Sequence, residues 1–157
     1  MSMSAPTFHE LQANGIRMRV AQQGAGPLVL FCHGWPESWY SWRHQLAALA
    51  AAGYRAVAPD MRGYGGTEAP SQIEAYTQLN IVGDMVALVT ELGESQAVIV
   101  GHDWGAPQVW NTALIHEGED VDEVLDAVLD RRARHRPAPI ARDAADHLGR
   151  LGVLVLD

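Results

Sequence analysis

The sequence is poor in the features that mark several broad classes of protein. It carries one cysteine, Cys32, so no internal disulfide can form and nothing favours an oxidising compartment. Basic residues are in deficit: 11 Lys+Arg against 19 Asp+Glu give a net charge of -8, which argues against nucleic acid as a partner. No apolar run approaches the length of a membrane span, and residues 1–14 lack the charged-then-apolar order of a secretion signal. A soluble, cytoplasmic protein with no membrane partner is expected. No C-x-x-C or H-E-x-x-H spacing occurs, so no metal and no cofactor are expected, and there is no internal repeat or low-complexity segment. Aromatic residues stop altogether at Trp110.

What is present describes a globular chain. The 157 residues suit one domain, and 48% hydrophobic with 19% charged residues is enough to build a core. Residues 7–20 read as two strands joined at Asn14-Gly15, a two-residue hairpin signal. Leu28-Val29-Leu30-Phe31-Cys32 is a continuous apolar run, as in a strand buried on both faces of a parallel sheet. Ser38 is a candidate N-cap for a helix in which Trp39, Trp42, Leu46 and Leu49 recur at helical spacing, an aromatic stripe expected in the core. Arg55–Pro59 reads as another buried strand. Thr77 opens a helix whose inner face is expected at Leu79, Val82, Val86 and Val89, with Gly93 as its stop. A strand over 97–101 and a helix over 106–115 follow. This alternation predicts an α/β fold, a parallel sheet covered by helices.

The pivotal stretch is Gly101-His102-Asp103-Trp104-Gly105. Glycines two before and two after Asp103 let a strand turn sharply into a helix, which would hold the carboxylate exposed at the carboxyl end of the sheet. This is the G-x-nucleophile-x-G elbow pattern with aspartate where serine is commoner. A carboxylate is ionised at neutral pH and attacks an sp³ carbon without a base. The same pentapeptide also occurs in turns and metal loops.

Two further motifs stand in order before it: His33-Gly34-Trp35-Pro36 after the third strand, and Asp60-Met61-Arg62-Gly63-Tyr64-Gly65-Gly66-Thr67 after the fourth. Together the three resemble the α/β-hydrolase fold, and within it the epoxide hydrolase branch, over residues from about Phe8 to Leu114. The resemblance implies that Asp103 opens a small hydrophobic epoxide to a covalent ester, which water hydrolyses to a diol. It implies that the backbone N–H groups of Trp35 and Trp104 form the oxyanion hole, and that the Trp35-Pro36 bond is cis. His33 and His102 are expected to brace their loops by hydrogen bonds, and Asp60 and Arg62 to tie down their own glycine-rich loop. Haloalkane dehalogenases share the Asp-Trp elbow but typically carry asparagine or glutamate where Trp35 stands, which favours the epoxide hydrolase branch.

The resemblance fades after His116. The family carries a cap domain with two tyrosines, then a late acid and a histidine that activates water. Here no tyrosine lies beyond Tyr76, and His116, His135 and His147 sit in no matching motif. Asp157 ends an apolar run with no histidine after it. The expectation is therefore a core over residues 1–115, the N-terminal half of an α/β-hydrolase sheet, followed by a divergent charged tail over 116–157. Helices are expected at 121–129 and 140–148 and a strand at 153–156. Such a chain reads as a truncated enzyme lobe or, in the competing reading, a non-catalytic remnant. Unless 153–156 folds back, the elbow strand is left at an open edge, inviting self-association.

Overall fold

The computed structural model of the protein describes residues 5–115 and 152–156. Its strands are β1 (Thr7–Ala13), β2 (Ile16–Gln23), β3 (Leu28–Cys32), β4 (Arg55–Pro59), β5 (Ala97–Gly101) and β6 (Gly152–Leu156). Its helices are α1 (Arg43–Ala51), α2 (Gln78–Glu91) and α3 (Gly105–Ile115). The strands form one mixed sheet in the order β1-β2-β4-β3-β5-β6. β4, β3 and β5 run parallel at its centre, while β1, β2 and β6 pair antiparallel with their neighbours.

Local sequence accounts for these elements. Asn14 and Gly15 adopt φ values of 49° and 77°, the left-handed pair that a two-residue hairpin turn needs. The apolar run of β3 is buried throughout, and its period of two sorts it between two cores. Leu28, Leu30 and Cys32 pack on one face with Met85, Leu88 and Val89 of α2 and Val109 of α3. Val29 and Phe31 pack on the other with Trp42 and with Leu46 of α1. Both faces of the central strands are thus covered, as a parallel sheet requires. Each fully buried aliphatic side chain such as Leu30 contributes about 1.5–3 kcal/mol.

Two details depart from the sequence reading. Ser38 does cap a helix, accepting from the Tyr40 N–H, but the turn it caps is a short 3-10 helix over Trp39–Trp42 and α1 begins only at Arg43. In α2, Leu79 is 68% exposed and Val86 only half-buried; the inner face is Val82, Met85, Leu88 and Val89. A buried carboxylate, Asp84, borders that face, and the first-turn position in line with Val82, Met85 and Val89 is Gln78, bonded to Gln108 of α3 at 2.6 Å. Leu79 lies about 100° further round the helix and misses the core.

At the β5 edge the fold-back alternative is the one observed: the strand expected at 153–156 is β6, which pairs with β5 antiparallel from Gly101↔Gly152 to Ala97↔Leu156, so that edge is occupied and β1 and β6 are the outer strands. The helices expected at 121–129 and 140–148, and His116, His135, His147 and Asp157, lie outside the described residues.

Candidate active site

The loops after β3, β4 and β5 meet at the carboxyl end of the sheet, the end where open α/β sheets place their ligands. Asp103 stands between β5 and α3 with φ 51°, a left-handed backbone that a non-glycine residue adopts only under constraint. The constraint is close packing. A Cβ on Gly101 would come within 2.4 Å of the Gly105 carbonyl oxygen, and one on Gly105 within 2.2 Å of that of Cys32. Only glycine at both positions lets α3 start so near the strand, and the side chain between them is forced outward.

The Asp103 carboxylate is exposed, and Oδ1 accepts the Trp35 N–H at 2.8 Å. This donor, together with the Trp104 N–H, holds the carboxyl below its ordinary range, and the nearby His102 adds to the effect. Asp103 is therefore fully ionised at neutral pH. Trp35 and Trp104 are 62% and 64% exposed. The Trp35-Pro36 bond is cis, as expected.

The flanking residues form a hydrogen-bonded scaffold. His33 is buried and accepts the Met61 N–H on Nε2 at 2.9 Å, so its proton resides on Nδ1, which faces the Gly34 carbonyl at 2.8 Å. Burial lowers its pKa. His102 lies 2.8 Å from Glu37 through Nε2. Asp60 accepts the Trp39 N–H on Oδ1 at 3.0 Å and the Gly66 N–H on Oδ2 at 2.9 Å, and its carbonyl accepts the Thr67 hydroxyl. It ties its own loop to the turn that precedes α1.

Arg62 links its glycine-rich loop to a neighbouring helix. Its guanidinium reaches across to α2 and pairs with both oxygens of Asp84, at 2.6 and 2.8 Å, with both side chains buried. That hydrogen-bonded carboxylate raises the arginine's pKa. Asp84 also accepts from Asn14 at the hairpin turn. The hairpin, the loop and the helix are joined at one buried point.

Three residues of this neighbourhood escaped the sequence reading. Asp84 left a signal, a carboxylate inside an apolar helical stripe. Glu37 follows the cis proline directly but carries no period or motif of its own. Tyr64 stacks edge-on against His33, with ring centres 5.1 Å apart. Burial, then the charge of Asp103, pushes its hydroxyl pKa up, so it stays a neutral donor. Among the described residues no histidine hydrogen-bonds the Asp103 carboxylate, no group of three or more His, Cys, Asp or Glu could hold a metal ion, and no helix is long and apolar enough to cross a membrane.

An elbow of this geometry beneath two loops of donors is matched in known proteins. The sequence profile of the alpha/beta hydrolase fold family matches residues 27–150. An epoxide hydrolase of Caballeronia sordidicola is 54% identical over 107 residues, 68% of this chain and 32% of that protein. Epoxide hydrolase A of Mycobacterium tuberculosis is 51% identical over 116 residues, 73% of this chain and 36% of that protein. The crystal structure of an epoxide hydrolase from Vigna radiata superposes with a TM-score of 0.70 at 55% identity, covering 73% of this chain and 36% of that one. The chain thus spans about a third of the length of the curated relatives it matches. Its fold, its motifs in their order and these likenesses agree, and the chain belongs to the alpha/beta hydrolase fold family.

Proposed function

We propose that the chain carries the nucleophile half of an epoxide hydrolase, acting on a small hydrophobic epoxide in the cytoplasm. The observation that carries this reading is the ionised Asp103 carboxylate, held on a left-handed backbone with Oδ1 already bonded to the Trp35 N–H at 2.8 Å. With Oδ1 engaged by Trp35, the attack is assigned to Oδ2. Its lone pair forms the C–O bond to the less hindered epoxide carbon, the ring C–O bond breaks, and the ring oxygen leaves as an alkoxide that takes a proton from a donor or water. The ester carbonyl oxygen is then Oδ1, bonded to the Trp35 N–H, with the Trp104 N–H also acting on the carboxyl group.

That placement suits the second half of the reaction. Water attacking the ester carbonyl would drive negative charge onto Oδ1, and the N–H groups of Trp35 and Trp104 would stabilise it as an oxyanion hole, a contribution of about 2.7–4 kcal/mol per donor in well-studied cases. In this reading His33 and Asp60 act as loop braces. The identity of the relatives supports the substrate class, since the proteins matched are named epoxide hydrolases.

Incubation with styrene oxide tests the proposal. Intact-protein mass spectrometry should show one epoxide mass added, mapped to the peptide holding Asp103, and Asp103→Asn should take no label at first, because an amide is a poor nucleophile. Label spread over several exposed carboxylates would reject it.

A further inference from the structure

Glu37 has no assigned part in the chemistry above, yet both its backbone and its side chain make directed contacts. Its own N–H donates to the Gly34 carbonyl at 3.2 Å, and its Oε2 accepts the Gly34 N–H at 3.3 Å, so the turn that holds Trp35 is closed on itself. The same Oε2 lies 2.8 Å from His102 Nε2. The His102 ring meets Trp42 edge-on, centres 5.1 Å apart at 77°, which fixes it from behind. One carboxylate oxygen therefore joins the residue before Trp35 to the residue before Asp103.

We propose that Glu37 is a positioning residue: through His102 it cross-braces the two loops and keeps the Trp35 N–H in register with the Asp103 carboxylate. Its catalytic meaning rests on the reading of Asp103 as nucleophile and of Trp35 as oxyanion donor. Stability is not the reason for the pair. The Glu37 and His102 side chains are 29% and 30% exposed, where a solvent-accessible polar pair contributes little to folding. Placement is another matter, because the donor and the nucleophile come from loops 68 positions apart and meet through a single bond of 2.8 Å from Trp35. Small displacements of such groups cost far more in rate than in stability. The contacts that hold Glu37 also settle its charge: burial alone would raise its pKa, but the Ser41 hydroxyl and His102 outweigh it, and it is ionised.

The test is amide hydrogen exchange by NMR on the whole chain, read at Trp35 and at the core residues Leu30, Val57 and Ile99. Glu37→Ala should speed exchange at Trp35 roughly three- to tenfold, the loss expected for one hydrogen bond's worth of protection, with the core amides unchanged. His102→Ala, on the other loop, should produce the same increase, and the double variant should add nothing further. A purely local role in the turn would make Trp35 respond to Glu37→Ala and ignore His102→Ala, and that result overturns the brace. Unchanged exchange in both variants also overturns it. If the core amides show that Glu37→Ala is unfolded, His102→Ala decides alone.

Styrene oxide labelling of the same samples separates this from the nucleophile reading. Wild type that takes no label while Trp35 exchange responds as stated leaves the brace standing and removes the chemistry. Wild type that labels while Trp35 exchange ignores both variants removes the brace alone. With both intact, Glu37→Ala should lower the maximal labelling rate about tenfold and leave the half-saturating epoxide concentration unchanged, as expected when orientation and not binding is lost.

Discussion

Gly34 and Asp103 are packed so closely that a Cβ on residue 34 would come within 2.7 Å of both the Asp103 Cβ and its Oδ1. The two belong to different loops, and nothing flexible lies between them. Gly34 is thus part of the geometry of the carboxylate as much as of its own turn.

The first prediction follows from that contact. Gly34→Ala must push Asp103 aside or move the Trp35 turn, and either breaks the 2.8 Å bond from the Trp35 N–H. A displacement of about 1 Å costs on the order of 10²-fold in a positioned reaction. Labelling of Asp103 by styrene oxide should slow by that order, while the far-UV circular dichroism spectrum is retained.

A second prediction concerns pH. The donors Trp35 and Trp104 hold the Asp103 pKa below its ordinary value of 3.8. The attacking form is the anion, so the labelling rate should be level from neutral pH down through 5 and should fall only below the ordinary carboxylate range. A rate that already halves near pH 5 would mean that the donors do not act on Asp103.

Arg62 and Asp84 supply the third. Both are buried, and removing one partner of a buried pair costs about 3–5 kcal/mol because the other charge is left uncompensated. Asp84→Asn and Arg62→Met should each lower the urea midpoint strongly. The double variant Arg62→Met with Asp84→Leu should recover most of the loss, since no unpaired charge remains.

The fourth turns on His33. Its folded pKa is lowered from 6.5 by burial, so below that value the unfolded chain binds a proton that the folded chain refuses. The stability due to neutral His33 is fully present above pH 6.5 and is lost as pH falls toward the folded value. Protonation would also take Nε2 from the Met61 N–H. The melting temperature of wild type should fall from pH 7 to pH 5 more than that of His33→Gln.

How much of this was legible in the sequence depends on the range of the interaction. β3 and β4, the hairpin turn and the elbow were read from local pattern, because apolar runs, Asn-Gly and paired glycines act within a few residues. Leu79 falls outside the inner face of α2 because periodicity gives a helix's stripe but not its rotation against a sheet. The partner of Arg62 and the contacts of Glu37 could not be read, since each joins loops and helices that only the fold brings together. The pairing of β6 with β5 lay open for the same reason: strand registers between distant segments are set by the assembled sheet.

The last prediction concerns the second half of the reaction. Ester hydrolysis needs a water molecule held against the carbonyl and a base to take its proton, and base assistance is typically worth about 10²–10⁴-fold. Among the described residues, the Asp103 carboxylate is bonded by backbone N–H groups, and His33 has both ring nitrogens engaged, with Gly34 and Met61. His102 is held to Glu37 through Nε2. Alkylation is therefore expected to outrun hydrolysis: label should accumulate on Asp103 to near one equivalent, with an initial burst of epoxide loss and little diol. Time-resolved intact mass together with diol quantified by chromatography measures both. Steady diol release without accumulated label would overturn this expectation. If that release disappears in His135→Ala or His147→Ala, the water-activating base comes from the segment that follows α3.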